Sequence, residues 1–212
     1  MSPRPTAWRA ARFLAVDVET TGLDARRDEV ISFAAVPVEG GRIVAAGAVR
    51  GLVRPAAGPP APSIEIHGLR AADLAAAPVA PEALAPLVSA LEGRVPVAHA
   101  AWVERAFLGP HVRSLGARLS RRIVDTALLW RLLCVERGDP DPGFCALAEV
   151  ASALSLPAHR PHEAEGDALT TAQAFQALAT HLEEHGHGTV RALAGADRSL
   201  RASRFWTAPG ER

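Results

Sequence analysis

The chain has 212 residues, 49% of them hydrophobic and 22% charged, which are proportions of one globular domain and not of collagen-like, wholly disordered or disulfide-scaffolded chains. Its 23 Lys and Arg balance 23 Asp and Glu, so the whole molecule is not steered toward polyanions and any nucleic-acid contact has to be local. No apolar run approaches the roughly 20 residues that cross a bilayer, and Cys134 and Cys145 lie too far apart for a CxxC metal or redox pair. A cytoplasmic protein with reduced thiols and no membrane partner is expected. Lys, Asn and Tyr are absent, the mark of GC-rich coding, so the abundance of Arg is no sign of a basic patch.

In chain order, residues 1–12 carry Pro3, Pro5 and several Arg without periodicity, which predicts a flexible leader. Phe13 to Val18 is an apolar run broken by Asp17 and ends in Glu-Thr-Thr-Gly22, the pattern of a buried strand running into a turn. Val30–Val38 and Arg42–Val53 lean toward strand and are joined by Glu39-Gly40-Gly41, a hairpin turn. The Pro/Gly-rich stretch 55–63 is expected as a loop flanking a cleft.

Helices are predicted at about 70–76, 81–92 and 102–109, with a strand at Val95–Ala98 between the last two. Arg122–Val124 reads as a strand, and Thr126–Val135, Ala146–Leu154 and Ala164–Leu182 as helices. Residues 13–184 thus form the main domain, and 185–212 a C-terminal helix and a tail with Arg191, Arg198, Arg201, Arg204 and Arg212 plus Phe205-Trp206. Hairpin strands followed by alternating helices and strands give a mixed α/β sheet with helices on both faces.

Asp17 and Glu19 stand at i and i+2 on a strand and face the same way, an arrangement two carboxylates avoid unless they share a cation. Oxygen ligands select a hard ion, Mg²⁺ or Mn²⁺, that also binds phosphate. A second constellation, His162-Glu163-Ala164-Glu165-Gly166-Asp167, sets a histidine just ahead of a helix and a carboxylate in its first turns. The strand pair alone is suggestive of a cation site, whereas Asp167 and His162 taken singly read as a helix-surface acid and a loop histidine. Their joint occurrence points to a metal-assisted acid-base site.

FLAVDVETTG at 13–22, IHGL at 66–69, VAHAAWVERAFL at 97–108, VDT at 124–126 and HEAEGD at 162–167 resemble, in that order, the motifs of the DEDDh 3'-5' exonucleases, typified by the epsilon subunit of DNA polymerase III. The resemblance implies a ribonuclease H-like sheet whose later strands are parallel, and an exonuclease domain over 13–184. It implies two divalent ions, Mg²⁺ or Mn²⁺, held by Asp17, Glu19, Glu104 and Asp167, with His162 as general base.

The implied reaction is hydrolysis of phosphodiesters at the 3' end of single-stranded nucleic acid, DNA for a proofreading or repair enzyme, releasing nucleoside 5'-monophosphates. Thr20, Thr21 and Gly22, with His67, Gly68, His99 and Val103, would surround the terminal nucleotide. A polymerase or repair complex is the implied partner. The family's second motif reads HNAxFD, whereas this chain has His99-Ala-Ala-Trp-Val-Glu104, so Glu104 takes the Asp position with one extra methylene. Two alternatives stay open: a catalytically weakened nucleic-acid-binding or polymerase-associated module, and an exoribonuclease acting on short RNA.

Overall fold

The computed structural model describes residues 6–157 and 159–205, with side chains placed to residue 202. Strand β1 (Arg12–Thr20) lies antiparallel to β2 (Val30–Glu39), which pairs on its other side with β3 (Arg42–Ile43) and β4 (Val49–Leu52). Parallel strands β5 (Val95–Ala98) and β6 (Val124–Asp125) extend the sheet beyond β1. The strand path is β3-β2-β1-β5-β6, the mixed sheet that the sequence predicts. Gly40 and Gly41 turn the β2-β3 hairpin with φ of 59° and 73°, backbone that side chains resist.

Alternation along β1 divides the interior. Phe13 and Ala15 face helix α8 (Ala164–Glu184), meeting its Ala168, Ala172, Phe175 and Leu178 together with helix α6 (Thr126–Glu136). Leu14, Val16 and Val18 face the opposite way, onto Leu84, Leu87 of helix α4 (Ala85–Leu91), and Phe107 and Leu108 of helix α5 (Trp102–Ser114). Both sheet faces are therefore covered, which explains why β1 and β2 are apolar almost throughout. Period-two alternation then puts Asp17 and Glu19 on the α8 side, continuing the row begun by Phe13 and Ala15.

Four expectations change. Residues 6–12 are not a loose leader: Trp8 is fully buried, edge-on to Phe175 with ring centroids 5.8 Å apart, and its backbone N–H donates to the Gly188 carbonyl at 3.0 Å. The predicted strand 42–53 is broken by a single 3₁₀ turn at Ala45–Gly47, giving β3 and β4. Part of the 55–63 loop is helical, because α1 (Ala61–His67) starts with Pro62 in its first turn, where a missing N–H costs nothing.

The C-terminal segment also packs. Helix α9 (Val190–Leu193) and helix α10 (Ala196–Phe205) bury Leu193, Ala196 and Leu200 in the α8-side core. Arg204, Phe205 and Trp206 of the predicted tail lie outside the residues whose side chains are described. The remaining elements are α2 (Ala71–Leu74), α3 (Ala80–Ala83) and α7 (Leu147–Ala153).

Candidate active site

Asp17 and Glu19 leave the last turns of β1 on the α8 side, and Asp167 stands in the first turn of α8 directly opposite. One oxygen from each of the three lies within 4.8 Å of the others. The local sequence explains the approach. Gly166 has no side chain, and a Cβ there would lie 2.1 Å from the His159 carbonyl, so the 159–162 loop can lie flat on the helix start only over glycine. That loop is turned by Arg160 and His162 at φ of 27° and 63°, left-handed conformations that non-glycine residues adopt at a cost. Its reward is the His162 N–H, which donates to Asp167 Oδ2 at 2.9 Å and aims the carboxylate.

On the β1 side, the β1-β2 register shifts between Glu19 and Thr20, an irregularity of the kind that re-aims side chains beside active sites. Thr20 Oγ1 donates to the Gly22 carbonyl at 2.6 Å. Thr21 Oγ1 donates to Asp28 Oδ1 at 3.1 Å and accepts from the Glu29 N–H at 3.0 Å. Gly22 faces the same Asp28 carboxylate, which would sit 2.5 Å from a Cβ. Thr20, Thr21 and Gly22 thus form a rigid turn after the acids, and Asp28, which the motifs did not single out, is its inner tie.

Electrostatics mark the cluster as unfinished. Burial pushes Asp17 well above the ordinary carboxylate range, and the charges of Glu104, Glu19 and Asp167 push it further. Glu19 is raised to about 7, by burial first and Asp167 second. Asp167 is raised by burial, against the lowering effect of the His162 N–H. Like charges held this close are unfavourable unless a proton or cation lies between them.

Glu104 does not belong to the close trio, yet it is the largest charge acting on Asp17. It is 5% exposed in the first turn of α5, its Oε2 has no hydrogen-bond partner, and burial raises it to about 8. A buried, unsatisfied carboxylate oxygen beside three crowded carboxylates suits a hard divalent cation, whose charge offsets both the desolvation and the repulsion. Asp17, Glu19 and Asp167 are the residues that would hold it, with Glu104 completing the shell.

A residue without an assigned role in the sequence places Glu104. Asp125, in the VDT segment, accepts from the N–H groups of Ala100 at 3.2 Å and Ala101 at 2.9 Å, and caps α6 through Ala127 at 2.9 Å. It holds the turn in which Ala100 takes φ of 59° just before α5 begins. No backbone clamp of this kind can be read from a short motif, because its partners are 24 and 25 residues distant.

The other predicted contacts divide. His67 is buried at the end of α1, its Nδ1 accepts from the Leu69 N–H at 3.0 Å, and burial lowers its pKa, so the ring is neutral with its proton on Nε2. That Nε2 has no hydrogen-bond partner among the described residues. His67, Gly68 and His162 line, with Glu19, a cavity of about 600 Å³ beside the acids. His99 is held elsewhere: Nδ1 meets Thr126 Oγ1 and Nε2 the Cys145 carbonyl, both at 2.9 Å, which ties strand β5 to α6. Val103 packs into the core on the α5 side and does not line the cavity.

Residues 14–175 match the RNase T family, described as exonucleases. The chain belongs to this exonuclease family. An epsilon-like DNA polymerase III subunit protein of Rhodobacter capsulatus is 32% identical over 182 residues, 85% of this chain and 25% of that protein. A PolC-type DNA polymerase III of Thermotoga maritima is 33% identical over 78% of this chain and 12% of its own length. The chain thus spans a quarter or less of the length of these relatives. Among solved structures, exonuclease X in complex with 5'-overhanging duplex DNA superposes with a TM-score of 0.66 at 22% identity, covering 88% of this chain and 98% of that one. E. coli exonuclease I bound to a dT13 oligonucleotide gives 0.70 at 14% identity, over 82% and 42%. The ribonuclease H-like exonuclease fold follows, and the acidic trio resembles the family's acidic site. Among the described residues no helix is long and apolar enough to cross a membrane.

Proposed function

We propose that this protein is a metal-dependent 3'-5' exonuclease that hydrolyses the terminal phosphodiester of single-stranded DNA and releases nucleoside 5'-monophosphates. The observation that carries the reading is the approach of Asp17, Glu19 and Asp167 within 4.8 Å beside a cavity of about 600 Å³. DNA is favoured by the DNA bound to the solved neighbours and by the polymerase relatives, which also suggest a polymerase or repair complex as partner.

When bound, Mg²⁺ or Mn²⁺ supplies Lewis-acid stabilisation of phosphoryl oxygens and acidifies water. The chain does the rest. His162, exposed on the cavity wall beside Asp167, takes the proton from the attacking water; oxygen bonds to phosphorus as the bond to the 3'-oxygen breaks, the leaving 3'-oxygen takes a proton from solvent so that the shortened strand leaves with a 3'-hydroxyl, and His162 gives its proton back to solvent. His67 offers its Nε2–H to the terminal nucleotide, and the Thr20–Gly22 turn forms a rigid wall next to Glu19. Glu104 enters through Asp17, its near neighbour.

The test is release of mononucleotides from a 5'-labelled single-stranded oligonucleotide in Mg²⁺ or Mn²⁺, with Asp17→Asn as control. Stepwise shortening that disappears in the control supports the reading. Binding without shortening favours the second reading, a catalytically weakened module, for which the longer Glu104 in the Asp position is the specific ground. Parallel DNA and RNA strands separate the deoxyribonuclease from the exoribonuclease.

A further inference from the structure

The cavity beside the acids is lined by Glu19, Glu163 and Glu165, a poor reception for a polyanion. Among the described residues that line it, the one permanently charged cation is Arg50 of β4. Strand register fixes where Arg50 stands. Asp17, Ala34 and Arg50 are direct partners across β1, β2 and β4, and Glu19, Ser32 and Leu52 form the next rung. At about 4.8 Å per strand, the Arg50 backbone lies about 10 Å from that of Asp17, on the same face. The residues between, Ala34 and Ser32, are small. Ser32 lines the cavity with Glu19 and Arg50, so a trough runs along that rung from the acid toward the guanidinium.

Arg50 pairs across the trough with Glu165, two residues before Asp167 on α8. The pair bridges β4 to the first turn of α8, and both of its residues line the cavity. Both side chains are largely exposed, at 67% and 46%. An exposed pair of this kind holds weakly, whereas a guanidinium matches a phosphate with two parallel hydrogen bonds. An entering phosphate can therefore displace Glu165.

We propose that Arg50 is the contact for the phosphate behind the scissile bond, and that Glu165 holds it ready until the strand enters. The inference rests on the exonuclease reading for the direction of the strand. It makes Arg50 and Glu165 an opposed pair: one attracts the backbone, the other competes with it.

The test compares wild type, Arg50→Ala, Arg50→Lys and Glu165→Gln, all checked for unchanged folding by circular dichroism. Two readouts are taken across a series of KCl concentrations: steady-state hydrolysis of a single-stranded DNA oligonucleotide, and its binding by fluorescence anisotropy in Ca²⁺. For Arg50→Ala, KM and Kd are expected to rise about ten-fold with kcat within a factor of about two. The slope of log Kd against log salt should flatten by about 0.7, the loss of one phosphate contact on a single strand. Arg50→Lys restores the slope without the full affinity, and Glu165→Gln lowers KM. An unchanged salt slope in Arg50→Ala, or a raised KM in Glu165→Gln, overturns the assignment. A wild type that binds but never hydrolyses sinks the enzyme reading alone, since the anisotropy slopes still decide the fate of Arg50.

Discussion

At the scale of single residues, the site is built from side chains that are uncomfortable without a ligand. Asp17 and Glu19 are held in an apolar strand, Glu104 has an unpaired buried oxygen, and His162 sits in left-handed backbone. His162→Ala removes the proposed base and should lower kcat about 100- to 10,000-fold, while Mn²⁺ affinity, measured by calorimetry, stays close to wild type because no imidazole is among the ligands. Equal turnover would show that another group takes the proton. Gly166→Ala should be costly for a different reason. Its methyl would meet the His159 carbonyl, and a loss of about 1–3 kcal/mol in urea unfolding is expected together with lost activity, since the loop that aims Asp167 has to lift.

Among elements, the turn between β5 and α5 depends on Asp125. Asp125→Ala removes an acceptor from three backbone N–H groups, two of them in that turn, and should destabilise the protein by about 2 kcal/mol on the scale of lost helix caps. Thermal melts check the size. If Mn²⁺ affinity falls as well, Glu104 has moved with the start of α5.

How much of this was legible in the sequence differs by element. Strand β1 and helix α8 were readable because their periodicities and acids are local. The mixed sheet and its helices on both faces followed from the alternation of elements, whereas the strand order is set by pairing between distant segments. Helix α1 was masked by prolines that its first turn tolerates, and Trp8 by the polar residues around it, since its partners Phe175 and Gly188 come from the far end of the chain. In the site, the acids and histidines carried motif signals. His99 carried one too, but its ring is consumed by Thr126 at the start of α6 and by the Cys145 carbonyl in the segment before α7, contacts that only tertiary packing creates. Arg50 gave no signal because its meaning comes from cross-strand register.

For the molecule as a whole, the raised carboxyls couple stability to pH. A carboxyl with a folded-state pKa above its unfolded value binds more protons when folded, so its contribution is complete below the unfolded pKa and is lost as pH rises through the folded one. For Glu19 that window runs from 4.5 to about 7, and for Glu104 from 4.5 to about 8. In EDTA the melting temperature should therefore fall between about pH 5 and pH 8, and Mn²⁺ should raise it more at the upper end, where the carboxylates are free to bind. A metal-free melting temperature that climbs over this range would contradict the burial of these charges.

The segment before β1 and the segment after α8 are stitched to each other. Ala7 pairs with Thr189, the Val190 N–H donates to the Thr6 carbonyl at 3.1 Å, and Arg9 meets Glu183 at 3.1 Å. Strand β1 from Arg12 to Glu19 and helix α8 from Glu184 back to Asp167 both run from this seam to the acids, about 25 Å by either rise. The molecule therefore has a working pole and a tethering pole. Cargo attached ahead of Thr6 leaves from the tethering pole, remote from the cleft, so a fusion on that flank should retain an unobstructed mouth.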